Sequence, residues 1–83
     1  MDKDQINRIV INANYAYHQL PITEDENGMS IWCSTKRQAA SVKRTMKQYI
    51  PNHIVLHDMV REGEISENEW KSGADRWRLD INY

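Results

Sequence analysis

The sequence predicts a small α+β domain in which two main helices pack on one face of a three-stranded antiparallel sheet, in the order α-β-α-β-β. Three observations support this fold. Apolar residues recur at helical spacing in two segments, apolar and polar residues alternate near the C-terminus, and the composition is 40% hydrophobic and 28% charged over 83 residues. This length suits one domain spanning residues 1–83. So small a domain needs most of its apolar side chains for the core, so we expect function to lie on the surface.

The first segment, residues 4–20, is compatible with either a helix or a strand. An apolar row at helical spacing comprises Ile6, Ile9, Val10, Ala13, Tyr17 and Leu20. The odd-numbered residues from Ile9 to Tyr17 would also form one face of a strand. We predict the helix because its apolar row is longer, because Asp2 or Asp4 can cap it, and because Pro21 would end it.

An acidic turn leads into the first predicted strand. Residues 22–28 hold three consecutive acids followed by Asn27-Gly28, and this pair favours a turn because both residues tolerate a positive φ. Residues 29–33 are then typical of a short strand.

The second helix is predicted over residues 35–49. Ser34 can cap its N-terminus, and Pro51 follows its end. Its core-facing row comprises Ala39, Val42, Met46, Tyr49 and Ile50.

Two strands and a short helix are predicted in the C-terminal half. Residues 53–60 form a β-rich run. Residues 76–83 alternate cleanly, as in a strand with one wet face, and the apolar side of this strand is Trp77, Leu79, Ile81 and Tyr83. Between these strands, Ser66 and Glu69 have the spacing of a capping box, which predicts a short helix over residues 67–72.

Five basic residues and no acid lie on the predicted second helix, namely Lys36, Arg37, Lys43, Arg44 and Lys47. At about 100° per residue they form a continuous flank beside the apolar row. Such a flank suits binding to nucleic-acid phosphates or to an acidic protein surface. It also suits a solvated face that only keeps the helix soluble.

Acidic residues gather in two other regions, residues 24–26 and 62–69, while the whole chain has a net charge of −1. Our first hypothesis is that these acids bind a protein partner by mimicking phosphates, with a tryptophan as anchor. The partner-binding residues would then be Glu24, Asp25, Glu26, Glu67, Glu69 and Trp70.

The chain has three tryptophans and no phenylalanine. Trp77 is in phase with Leu79 and Ile81, so we assign it to the core. Trp32 and Trp70 are either surface anchors or bulky core residues, and the sequence leaves both possibilities open.

No motif points to catalysis or to a metal. His53 and His57 on a strand would lie about 13 Å apart, too far to share one ion. The three glycines are isolated and form no phosphate-binding loop. We therefore expect no catalytic residue, no metal, no cofactor and no enzymatic activity.

The single cysteine, Cys33, permits no internal disulfide and fits a reducing compartment. No run approaches the roughly 20 apolar residues of a membrane helix. The N-terminal residues lack the features of a signal peptide. We expect a cytoplasmic protein with no membrane association.

The pattern from Lys36-Arg37-Gln38-Ala39-Ala40 to Lys43-Arg44, followed by a hairpin carrying Trp77, resembles small phage-encoded inhibitors of bacterial immunity, including anti-CRISPR proteins. The resemblance covers roughly the C-terminal half of the chain. It implies a non-enzymatic inhibitor in the host cytoplasm that blocks a larger host protein or ribonucleoprotein complex. Two alternatives remain: direct nucleic-acid binding by the basic helix 35–49, and a homodimer in which basic and acidic faces pair.

Overall fold

A four-stranded antiparallel sheet and three helices make up the computed structural model, which describes all 83 residues. The helices are α1 (Lys3–Tyr17), α2 (Lys36–Tyr49) and α3 (Glu67–Lys71), and a short 3-10 helix spans Pro51–His53. The strands are β1 (Ile22–Asp25), β2 (Gly28–Cys33), β3 (Ile54–Asp58) and β4 (Trp77–Asn82), in the spatial order β1-β2-β4-β3. The α+β class is confirmed, and the predicted sheet of three strands is wrong by one strand.

The additional strand is β1, in the region where the sequence predicts an acidic turn. Its side chains are mostly exposed, so it lacks the alternation of apolar and polar residues that predicts a strand. The hairpin sets its pairing instead, with Ile22 opposite Ile31. The Asp25 carboxylate accepts hydrogen bonds from the N–H groups of Asn27 and Gly28, at 2.8 and 3.0 Å, and so stabilises the turn.

Gly28 is required here for space. The glycines with a positive φ are Gly63 and Gly73, so the hairpin turn does not use the conformational freedom of Gly28. A Cβ atom at Gly28 would instead overlap the carbonyl oxygen of Ile81 on β4. The Asn-Gly pair therefore marks the turn, but neither residue has the positive φ expected from the sequence.

Residues 3–17 are helical, so the alternative strand is wrong. Asp2 caps α1: its carboxylate accepts the Gln5 N–H at 2.9 Å, and the Gln5 side chain accepts the Asp2 N–H at 3.0 Å. The helix ends three residues before the predicted Leu20, because the Asn14 side chain holds the next turn. Its amide donates to the Leu20 carbonyl at 2.9 Å and accepts the Leu20 N–H at 3.2 Å.

Both long helices pack on one face of the sheet. The shared core consists of Ile6, Val10, Ala13, Met29, Ile31, Cys33, Ala39, Val42, Met46, Ile50, Leu79 and Ile81. Tyr17, a member of the apolar row predicted for α1, is 66% exposed, so it does not belong to the core. On α2 the capping residue is Thr35, one residue later than predicted, and its hydroxyl accepts the Gln38 N–H at 3.1 Å.

The position of α2 follows from the strand order. β2 and β3 are each antiparallel to β4, so they are parallel to each other, and α2 forms the crossover between them. α2 therefore lies over β4 and β3, and β3 forms a free edge of the sheet. α1 lies towards the other edge, where the Asn7 amide donates to the Glu24 carboxylate of β1 at 2.7 Å.

Candidate functional site

The five basic residues predicted on the second helix all project from α2 into solvent. We call these residues, Lys36, Arg37, Lys43, Arg44 and Lys47, the basic face. None of them takes part in any of the five ion pairs of the chain, whose basic members are His57, Arg76 and Arg78. Their charges are thus available to an external partner without the loss of an internal contact.

The basic face has two parts with different orientations. The first part, which we call the lysine row, points about 90° away from the core-facing residues of α2 and comprises Lys36, Lys43 and Lys47. The second part, the arginine pair, points about 180° away from the same core-facing residues, directly outward from the sheet, and comprises Arg37 and Arg44.

The lysine row lies on the side of α2 that faces the free edge of β3. The opposite side of the helix faces α1, because the His18 Nε2 atom lies 2.8 Å from the Thr45 hydroxyl and because Tyr49 lines a groove against α1. In the strand order, β3 lies beyond β4 on the side away from β1 and α1. The lysine row is therefore above the β3 edge.

Two of these cations occupy an unfavourable position in the helix. Lys36 and Arg37 lie in the first turn of α2, which contains no acid. The positive end of the helix dipole disfavours a cation there by about 0.3–1 kcal/mol. The helix dipole therefore does not explain the presence of these two cations in the first turn.

The predicted acidic residues do not form one surface. Glu24, Asp25 and Glu26 lie at the hairpin, and Glu67 and Glu69 lie on α3. These regions are at opposite ends of β4, whose six residues span roughly 17 Å.

Three of these acids already have partners within the chain. The Glu24 carboxylate accepts hydrogen bonds from the Asn7 amide and the Tyr83 hydroxyl. Asp25 holds the hairpin turn, and Glu69 forms the capping box of α3 with Ser66. Each of these carboxylates contributes to the fold, so an external partner would have to compete with existing contacts.

Trp70 is half-buried and attaches α3 to the sheet. Its ring meets the Trp77 ring edge-on, with centroids 6.1 Å apart, and the Arg76 guanidinium lies 4.4 Å from the Trp70 centroid. Arg76 also binds both carboxylate oxygens of Asp58, at 2.9 and 3.0 Å. Trp70 therefore has a structural role, and its ring is only partly available as an anchor.

Trp32 is also half-buried, on the face of the sheet that carries no long helix. Its indole N–H donates to the Thr23 hydroxyl at 3.0 Å, and the Arg78 guanidinium lies 5.9 Å from its ring centroid. Trp77 is partly buried and packs against the core, in agreement with its phase in β4.

A charged network on this outer face was not predicted. Arg78 donates to Asp80 at 2.8 Å and to Glu64 at 2.9 Å. His57 lies between Asp80 and Glu62, at 3.2 and 2.9 Å. The alternation of β4 indicated that Arg78 and Asp80 share a wet face, but no sequence signal indicated that the loop after β3 would bring two glutamates to them. These contacts link Glu62 and Glu64 of the loop to His57 and Arg78 of the sheet.

No cluster of three or more histidine, cysteine, aspartate or glutamate side chains has the arrangement of a metal site. None of the helices combines the length and apolar character needed to cross a membrane. Comparison with protein-family models, curated proteins and solved structures gave no match. Five of the 11 lysine and arginine residues lie on α2, all exposed and none in an ion pair, which makes the basic face the candidate site.

Proposed function

We propose that this chain is a non-enzymatic binding protein that recognises an acidic protein partner through the basic face of α2. The observation that carries the proposal is the set of five exposed cations, all on one helix face and none paired within the chain. Complementary charges on a partner would accelerate association and orient the two proteins.

The charge distribution favours an acidic protein over a nucleic acid as the partner. Outside α2, six basic residues face twelve acidic ones, so the rest of the chain has a formal charge of −6. α2 is about 21 Å long, so a polynucleotide that continued past it would meet an acidic surface. A short acidic protein segment can remain on α2 and avoid that repulsion.

Two expectations from the sequence stay predictions. One is a contact with a basic partner at either end of the sheet. It would be made by Glu24, Asp25, Glu26, Glu67, Glu69 and Trp70. Inhibition of a host defence complex by a phage-encoded protein is the other, and its support is the resemblance described above.

The proposal can be tested by titrating the protein into a fluorescein-labelled peptide of alternating glutamate and valine with blocked termini, the acidic peptide. A short DNA duplex is titrated in parallel. We expect the acidic peptide to bind and its affinity to fall as salt rises, because salt screens exposed charges. Fluorescence anisotropy measures both titrations.

Charge reversal on α2 tests whether the basic face is the binding surface. The double variant Lys43→Glu with Arg44→Glu should weaken binding of the acidic peptide about tenfold or more, which corresponds to about 1.4 kcal/mol. The matched control, Arg8→Glu with Arg61→Glu, changes the net charge equally at exposed positions elsewhere and should have a much smaller effect. Equal losses in both variants, or tighter binding of the duplex than of the peptide, would contradict the proposal.

A further inference from the structure

The free edge of β3 offers a second element of recognition directly beneath the lysine row. We infer that the acidic partner presents an extended segment that adds to this edge as a fifth, antiparallel strand. The inference deepens the proposed function and rests on it, because it specifies the conformation in which the acidic partner is bound.

Four main-chain groups on this edge are free. The Met59 N–H donates to the Arg76 carbonyl at 2.8 Å, which fixes the phase of the β3–β4 ladder. Because hydrogen-bonded pairs alternate in an antiparallel ladder, Val55 and His57 bond to β4. The N–H and C=O groups of Ile54 and Leu56 then point away from the sheet, and no turn, cap or side chain occupies them.

Few features of β3 itself protect this edge. The strand contains no proline and pairs with β4 in unbroken register, and Val55 is 47% exposed. The opposite edge, β1, carries Glu24 and Asp25. The protection of the β3 edge comes from the lysine row above it, which would repel a second β3 with its own lysines. The same row attracts a strand that carries negative charge.

The pleat of the sheet specifies the pattern of the incoming segment. A fifth strand would lie about 4.8 Å beyond β3, with successive side chains on opposite faces. Residues directly opposite Ile54 and Leu56 would point to the helix side, beneath the lysine row. The intervening residues would point to the outer face, beside Val55 and His57. The segment that fits therefore has acids at every second position and β-branched apolar residues between them.

N-methylation of the acidic peptide tests strand addition directly. In an antiparallel strand, the glutamates opposite Ile54 and Leu56 turn their N–H groups towards β3, while the valine N–H groups point to solvent. Methylating the glutamate nitrogens should weaken binding about tenfold or more, and methylating the valine nitrogens should change it by no more than about threefold. Equal effects of the two modifications would overturn the inference.

A pair of charge-reversed variants tests the location of the segment. Lys43→Glu with Lys47→Glu removes charge above the β3 edge, and Arg37→Glu with Arg44→Glu removes the same charge from the far side of α2. We expect the lysine variant to lose about tenfold or more in affinity for the acidic peptide and the arginine variant to lose markedly less, because the arginine pair is farther from the edge.

The outcomes separate the two proposals. If both variants weaken binding equally and the N-methylated peptides bind alike, the basic face still binds acidic partners, but the edge is not used. If the acidic peptide does not bind at all, both proposals fall. Sedimentation over a concentration series provides a further check, because self-association in the concentration range of peptide binding would mean that a second copy occupies the edge, which also overturns the inference.

Discussion

At the residue scale, the contact between Asp58 and Arg76 links stability to pH. The hydrogen bonds from Arg76 lower the pKa of Asp58 below its usual value of 3.8. A carboxylate whose pKa is depressed by folding stabilises the native state above its unfolded pKa, and this contribution is lost as the pH falls through the folded pKa. The affected range is therefore below about pH 4.

We expect Asp58→Asn to flatten the acid limb of the stability profile. The free energy of unfolding of the variant should fall less steeply below about pH 4 than that of the wild type, because the variant has no carboxylate at residue 58 that takes up a proton on unfolding. Urea denaturation at a series of pH values measures this. Glu26→Gln is the control, since Glu26 is exposed and accepts no hydrogen bond within the chain. Parallel acid limbs for Asp58→Asn and the wild type would contradict the expectation.

A second prediction at this scale concerns Gly28. Gly28→Ala should lower the free energy of unfolding by roughly 3 kcal/mol, because the added methyl group collides with the backbone of Ile81. Gly63→Ala should cost only about 1 kcal/mol, because its Cβ enters open space and the cost is that of a positive φ. Urea midpoints measure both variants, and a smaller loss for Gly28→Ala than for Gly63→Ala would refute the steric explanation.

The roles of Asn7 and Asn14 could not be predicted from the sequence. Asn7 and Asn14 are poor helix formers, which made the helical interpretation of residues 4–20 less decisive. In the structure Asn7 binds Glu24 and Asn14 holds Leu20. Both partners lie outside α1, 17 residues from Asn7 and 6 residues from Asn14, so helix propensity alone cannot show that these residues stabilise the fold.

At the element scale, the cations in the first turn of α2 would favour binding of an acidic partner under the proposed function but lower the stability of the helix. Lys36→Glu should raise the free energy of unfolding by about 1 kcal/mol, because an acid suits the positive end of the helix dipole. For a domain of this size the melting temperature should rise by about 4–8 °C. The same substitution should weaken binding of the acidic peptide. Thermal unfolding followed by circular dichroism measures the first effect.

Lys47→Glu is the matched control, since it makes the same charge change in the last turn of α2. It should lower the melting temperature, because a cation there is favourable. A lower melting temperature for Lys36→Glu as well would show that the lysine contributes to folding and would weaken the functional interpretation of the first turn.

The elements differed in how much the sequence revealed. α2 and β4 were predicted nearly to their ends, because each carries a clear apolar period of its own. β1 was missed because it has one apolar side chain, Ile22, and its pairing depends on a turn stabilised by Asp25. Because the pairing of β1 depends on its contact with β2, its own residues show no alternation of apolar and polar side chains.

At the scale of the whole molecule, the placement of the five basic residues on one helix could be predicted from the sequence, and their surroundings could not. Helical spacing alone brings Lys36, Lys43 and Lys47 together, so local geometry was sufficient. Their position above the β3 edge depends on the strand order β1-β2-β4-β3, which depends in turn on long-range pairing. For the same reason, the separation of the acidic clusters to opposite ends of the sheet could not be seen in the sequence.

Because the five cations on α2 form no ion pair, the residues of the basic face can be substituted during evolution with little effect on the rest of the chain. Since these side chains lie outside the core and form no ion pair, their replacement changes helix stability modestly and leaves the packed interior intact. Under the proposed function, single substitutions on the basic face would change which partner is bound without disturbing the core.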